Sequence, residues 1–126
     1  SYGGEGTWTL ETSGTINCFM GSSGRDVHPY TSYAMTKPLK RGQWAHVACV
    51  RDAKTKKVTW YRDGQAVSSK KLLYRTAASK YPLLIGSGYV RSYQGLMDEL
   101  FIFNRALSAK EIGAIYEKGK RGLPLK

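Results

Sequence analysis

The chain has 126 residues, enough for one domain with its own core, and its 41% hydrophobic and 23% charged residues form an ordinary globular balance that excludes disorder. No apolar run approaches the roughly 20 residues of a membrane-spanning helix. Twenty Lys+Arg against nine Asp+Glu give a net charge of +11, which is either a solvated basic surface or a field for acidic partners: sulfated or uronic glycans, anionic headgroups, nucleic acid or an acidic protein.

In chain order, Ser1-Tyr2-Gly3-Gly4-Glu5 does not read as a signal peptide. Residues 7–12 read as a strand with Trp8 and Leu10 on one face. Ser13-Gly14 is a turn, and residues 15–20 form a second strand with Ile16, Cys18 and Met20 alternating inward. Residues 21–41 are rich in Gly, Ser and Pro and read as a long loop carrying His28, Tyr30 and Tyr33. Residues 43–51 predict a strand apolar on both faces, with Val47 and Cys49 on one and His46, Ala48 and Val50 on the other. Residues 58–62 and 65–73 pair through Asp63-Gly64, a tight hairpin turn. Residues 82–85 predict a short apolar strand, residues 87–93 a loop, and residues 94–103 a long final strand. Ser108 and Glu111 have capping-box spacing, Ile112, Ile115 and Tyr116 follow at helical spacing, and Gly119 is placed to end that helix. The fold class is all-β: an antiparallel β-sandwich with one short C-terminal α-helix.

Four segments carry a family likeness. Gln43-Trp44-Ala45-His46-Val47-Ala48 resembles a W-x-H-V-A strand, Val58-Thr59-Trp60-Tyr61-Arg62-Asp63-Gly64 a V-x-L-Y-V-D-G hairpin, and Leu83-Leu84-Ile85-Gly86 an L-x-I-G strand. Gln94-Gly95-Leu96-Met97-Asp98-Glu99-Leu100-Phe101-Ile102-Phe103-Asn104-Arg105-Ala106-Leu107-Ser108 resembles F-x-G-x-I-D-E-V-R-I-Y-N-R-A-L-S. In this order and spacing they resemble the laminin-G-like, pentraxin-like jelly rolls of the concanavalin A-like lectin/glucanase type. The resemblance implies a single domain over residues 1–126 that lacks the family's N-terminal strands. It also implies that those strands lie upstream, on a separate chain, or are replaced by a partner. Phe101 departs from the polar residue common at its position. With Met97 and Phe103 it forms an apolar row opposite Leu96, Leu100 and Ile102, either packed under the helix or facing a partner.

Glucanases of this fold use paired carboxylates on one strand. Their Glu-x-Asp-x-x-Glu signature is absent, Asp98 and Glu99 would alternate across a strand, and neither His28 nor His46 has an adjacent nucleophile. The reading is therefore no enzyme. Asp98 is expected to point inward or sit at the sheet rim. There it accepts N–H groups, pairs with Arg, or serves as a structural calcium ligand, as the resemblance to calcium-binding jelly rolls allows; otherwise no cofactor is implied. Candidate ligand-binding residues are Tyr30 and Tyr33 in the first long loop and Tyr89, Arg91 and Tyr93 in the second. Aromatic faces stack on sugar rings there and Arg grips a carboxylate or sulfate. No nucleic-acid fold signature accompanies them.

Cys18 and Cys49 show no zinc-ligand spacing. They are either two buried thiols or, in an oxidising compartment, a disulfide, sterically possible only if their strands are neighbours. The functional expectation is an extracellular, periplasmic or cell-surface binding module that recognises an acidic glycan or a protein. The alternative is a structural subunit docked in a larger complex through its basic surface and the Met97/Phe101/Phe103 row.

Overall fold

The computed structural model describes residues 7–21, 30–73, 83–86 and 92–124. Two three-stranded antiparallel sheets face each other, and one helix covers the outer face of the second. The first sheet has the order β1 (Thr7–Leu10), β2 (Ile16–Gly21), β3 (Tyr30–Ala34). The second is the meander β4 (Val47–Asp52), β5 (Lys57–Arg62), β6 (Gln65–Lys71). This confirms the all-β sandwich with a short C-terminal helix, α1 (Ala109–Lys120).

Side-chain alternation builds the layers. Ile16, Cys18 and Met20 of β2 point into the sandwich with Tyr33 and Met35, and meet Val58 and Trp60 of β5. The intervening residues of the second sheet point the other way, so Tyr61 joins Ala48 and Val50 of β4 under Leu107, Ile112 and Ile115. The two-sided apolar pattern of β4 is thus explained: one face meets the first sheet and the other meets the helix. An extra residue in β6, between the partners of Trp60 and Tyr61, makes a bulge that re-aims this strand.

The helix begins where the sequence places it. Ser108 Oγ accepts the Glu111 N–H, and the Glu111 carboxylate accepts the Ser108 N–H at 2.8 Å. It runs past Gly119 to Lys120, with Arg121 as C-cap and Gly122 in the left-handed region at φ 64°.

Three local expectations are corrected. Tyr30–Ala34 is a strand rather than part of a loop, because it pairs with β2 from Asn17↔Ala34 to Gly21↔Tyr30. Residues 94–103 are not a strand: among the described residues no strand pairs with them, and an apolar segment without a neighbour has no ladder to join. Residues 83–86 are likewise irregular and exposed up to Ile85.

Candidate binding surface

Tyr33 is not a loop aromatic. It lies in β3 at 1% exposure, and its hydroxyl accepts the Leu73 N–H at 3.1 Å, which closes its ring to any ligand. Tyr30 contributes its backbone to β3, but its side chain lies outside the described residues, as do Tyr89 and Arg91. Tyr93 is exposed. Its hydroxyl donates to the Leu96 carbonyl at 3.1 Å and its N–H to the Gly86 carbonyl, so it ties Gly86 to the segment that holds Leu96. The structure does not bring Tyr33 and Tyr93 into one site.

Asp98 does not point inward. It is exposed, and its Oδ1 accepts the N–H of Glu99, whose backbone sits in the left-handed region at φ 51°. Among the described residues no three His, Cys, Asp or Glu side chains gather as metal ligands.

The apolar row does not pack under the helix. Met97, Phe101 and Phe103 are exposed, and so are Leu96, Leu100 and Ile102, at up to 76% for Leu96. Neither face packs under α1, whose core partners are Leu107, Tyr61 and the β4 residues. The Phe101 and Phe103 rings lie 6.4 Å apart and tilted by 30°, a pair presented outward. Leu83, Leu84 and Ile85, which read in the sequence as a core strand, add a second exposed apolar segment. The sequence signal for both was the demand for two covered faces. Nothing local reveals whether the cover is present.

A groove between β3 and β6 is lined by Ser32, Thr36, Ser68 and Lys70 over Trp60. Its polar groups are already engaged across the seam: Ser68 Oγ donates to the Ala34 carbonyl, Thr36 Oγ1 to the Val67 carbonyl and Lys70 Nζ to the Ser32 carbonyl. These bonds join the sheet edges, and the groove is a closure of the sandwich. Nearby, Arg62 reaches the Pro38 carbonyl and lies 3.4 Å from Asp63, holding the segment before β4 to the second sheet.

His46 lies half-buried between the sheet and the helix. Its ring is 5.8 Å from that of Tyr116, and its Nδ1 is buried with no hydrogen-bond partner among the described residues. Burial depresses the imidazole pKa, opposed by the nearby Asp63 carboxylate. Asp63 also accepts the His46 N–H at 3.1 Å, so this histidine locks the β5–β6 turn to the strand entry. No described group stands beside it as a nucleophile, which fits a structural role.

No curated protein matches the chain. The solved structure of residues 221–444 of an S-layer domain-containing protein from Clostridium thermocellum is similar, with a TM-score of 0.51 and 24% identity over 92% of this chain. The chain spans 58% of that structure's length. No helix is long and apolar enough to cross a membrane among the described residues. A family model for the concanavalin A-like lectin/glucanases superfamily matches residues 1–113, in agreement with the two facing sheets, and the chain belongs to that superfamily.

Proposed function

We infer that the chain is a non-catalytic binding module that docks onto protein through residues 83–85 and 96–103, as part of a larger extracellular or cell-surface assembly. One observation carries this reading. The segment holding Leu96, Met97, Leu100, Phe101, Ile102 and Phe103 leaves all six side chains exposed, with no described strand beside it. Contiguous apolar surface of this kind marks an interface, and a segment with no described strand beside it is open to a neighbouring strand. The expected occupant is therefore a protein β-segment, supplied from elsewhere in a longer chain or by another subunit. The similarity to a structure from an S-layer domain-containing protein supports the surface setting. The missing glucanase signature and the outward placement of Asp98 and Glu99 support binding over catalysis.

Hydrogen–deuterium exchange over residues 94–103 tests it, comparing the isolated chain with the same chain in native cell-surface material. Strong protection confined to the assembled form is expected. Equal exchange in both forms sinks the docking reading. In that case binding of a sulfated oligosaccharide, lost on substitution of Tyr89, Arg91 or Tyr93, would favour glycan recognition.

A further inference from the structure

We propose that Cys18 and Cys49 are an oxidisable pair that forms an inter-sheet disulfide, locking the two sheets of the sandwich together. The strand registers bring them opposite each other. Cys18 is the middle residue of the rung Trp8↔Cys18↔Tyr33 on the first sheet. Cys49 belongs to the rung Cys49↔Trp60↔Ser68 on the second. These two rungs touch at two points. The Trp8 and Trp60 rings meet edge to face with centroids 4.8 Å apart, and the Trp60 Nε1–H donates to the Tyr33 carbonyl at 2.7 Å. Both cysteines are free thiols in this structure, with Cys49 packed against the same core cluster that contains Cys18.

Their unequal exposure sets the order of events. Cys18 is 0% exposed, and the Cys49 contact together with burial raises its thiol far above the ordinary cysteine range, so it does not start the reaction. Cys49 is only half-buried. Its thiolate attacks one sulfur of a small-molecule disulfide of the glutathione class, and the first thiolate leaves. Cys18 sulfur then attacks the Cys49 sulfur of this mixed disulfide and expels the second. Two small-molecule thiols are released carrying the two cysteine protons, and the two electrons lost by the protein reduce the external disulfide. Both cysteines pack in one core cluster, so S–S bond formation requires an approach of two facing strands. The bond closes a loop of about 30 residues, a length at which cross-linking restricts the unfolded chain substantially.

The test uses the full chain incubated in reduced and oxidised glutathione. Oxidation is expected to remove the mass of two hydrogens from the monomer, and proteolytic mapping is expected to link Cys18 to Cys49. Tm is expected to rise by on the order of 10 °C. Indole fluorescence from Trp8 and Trp60 is expected to fall, because a disulfide quenches adjacent indoles. Cys49→Ser and Cys49→Ala remove all of these oxidation-dependent changes. Two free thiols after incubation, a mixed disulfide that persists at Cys49, or a disulfide-linked dimer in place of the intramolecular bond would each overturn the proposal.

Discussion

The Trp60 indole donates its N–H to the Tyr33 carbonyl at 2.7 Å, a buried hydrogen bond from the central strand of one sheet to an edge strand of the other. Both side chains are about 1% exposed, so the bond and the ring contacts act in the same desolvated place. Trp60→Phe removes the donor, leaves a gap beside Trp8, and should cost about 2–3 kcal/mol. Tyr33→Phe keeps the packing but strands the Leu73 N–H, at about 1 kcal/mol. Urea unfolding monitored by circular dichroism checks both, and the order of the two losses is the informative part. A Tyr33→Phe loss equal to that of Trp60→Phe would mean that the seam does not depend on the indole bond.

Gly64 couples the hairpin to the helix. Asp63 and Gly64 sit at φ 52° and 78°, as a primed hairpin turn requires, and a Cβ on Gly64 would lie 2.9 Å from Cδ1 of Tyr116. Gly64→Ala therefore brings both a left-handed alanine and a collision with the helix. A loss of about 1–3 kcal/mol is expected. Gly64→Ala combined with Tyr116→Ala should recover the collision's share and retain the strain. A double-mutant cycle measures that coupling, and additivity would show that the turn and the helix are independent.

The legible parts of this fold are those whose signals are local. Asp63-Gly64 specifies its own turn, and Ser108 with Glu111 specifies the helix start, because the partners lie within a few residues of each other. The two-sided apolar pattern of β4 likewise foretells layers on both sides. β3 escaped because Tyr30–Ala34 carries Thr31 and Ser32 side by side, without alternation, and follows a Gly/Ser-rich stretch, so only its pairing with β2 makes it a strand. Residues 94–103 failed in the opposite sense: they are apolar on both faces like a buried strand, but a strand needs a neighbour, and the residue pattern cannot report one. The candidate site fared the same way. Tyr33 reads as a loop aromatic until β3 turns it into the core, whereas the outward exposure of Phe101 and Phe103 depends on what is not packed over them.

His46 should make stability fall on acidification. Its folded pKa is depressed by burial, opposed in part by Asp63, so the unfolded chain binds a proton more readily. The stabilisation is full above the ordinary histidine value of about 6.5 and is lost as pH falls through the lower folded value. Protonation places charge against Tyr116, so the helix-side contacts should loosen first. Urea midpoints from pH 7.5 down to the low fives should decline in the wild type and flatten in His46→Gln. These pH values bracket the unperturbed histidine at about 6.5. A wild-type curve as flat as that of the variant would remove His46 from the account.

The reciprocal cap at the start of α1 titrates in a lower window. The Arg105 guanidinium at 2.6 Å, followed by the Ser108 N–H and hydroxyl, holds the Glu111 carboxyl down at about 2. A carboxylate depressed in the folded state stabilises fully above its unfolded value of about 4.3, and this contribution is lost as pH falls toward the folded one. The pair is exposed, so salt weakens it, and the neutral Ser108 bond to the Glu111 N–H is the part that survives screening. Ser108→Ala should therefore cost about 1 kcal/mol at neutral pH with little salt dependence. Arg105→Ala should shift the Glu111 titration upward, with an effect that shrinks in high salt. NMR titration of the Glu111 side chain, with amide exchange over the first turn of α1, separates these contributions. A Glu111 carboxyl that titrates at the ordinary glutamate value in the wild type would show that the cap does not hold in solution, and the first turn should then exchange as fast in the wild type as in Ser108→Ala.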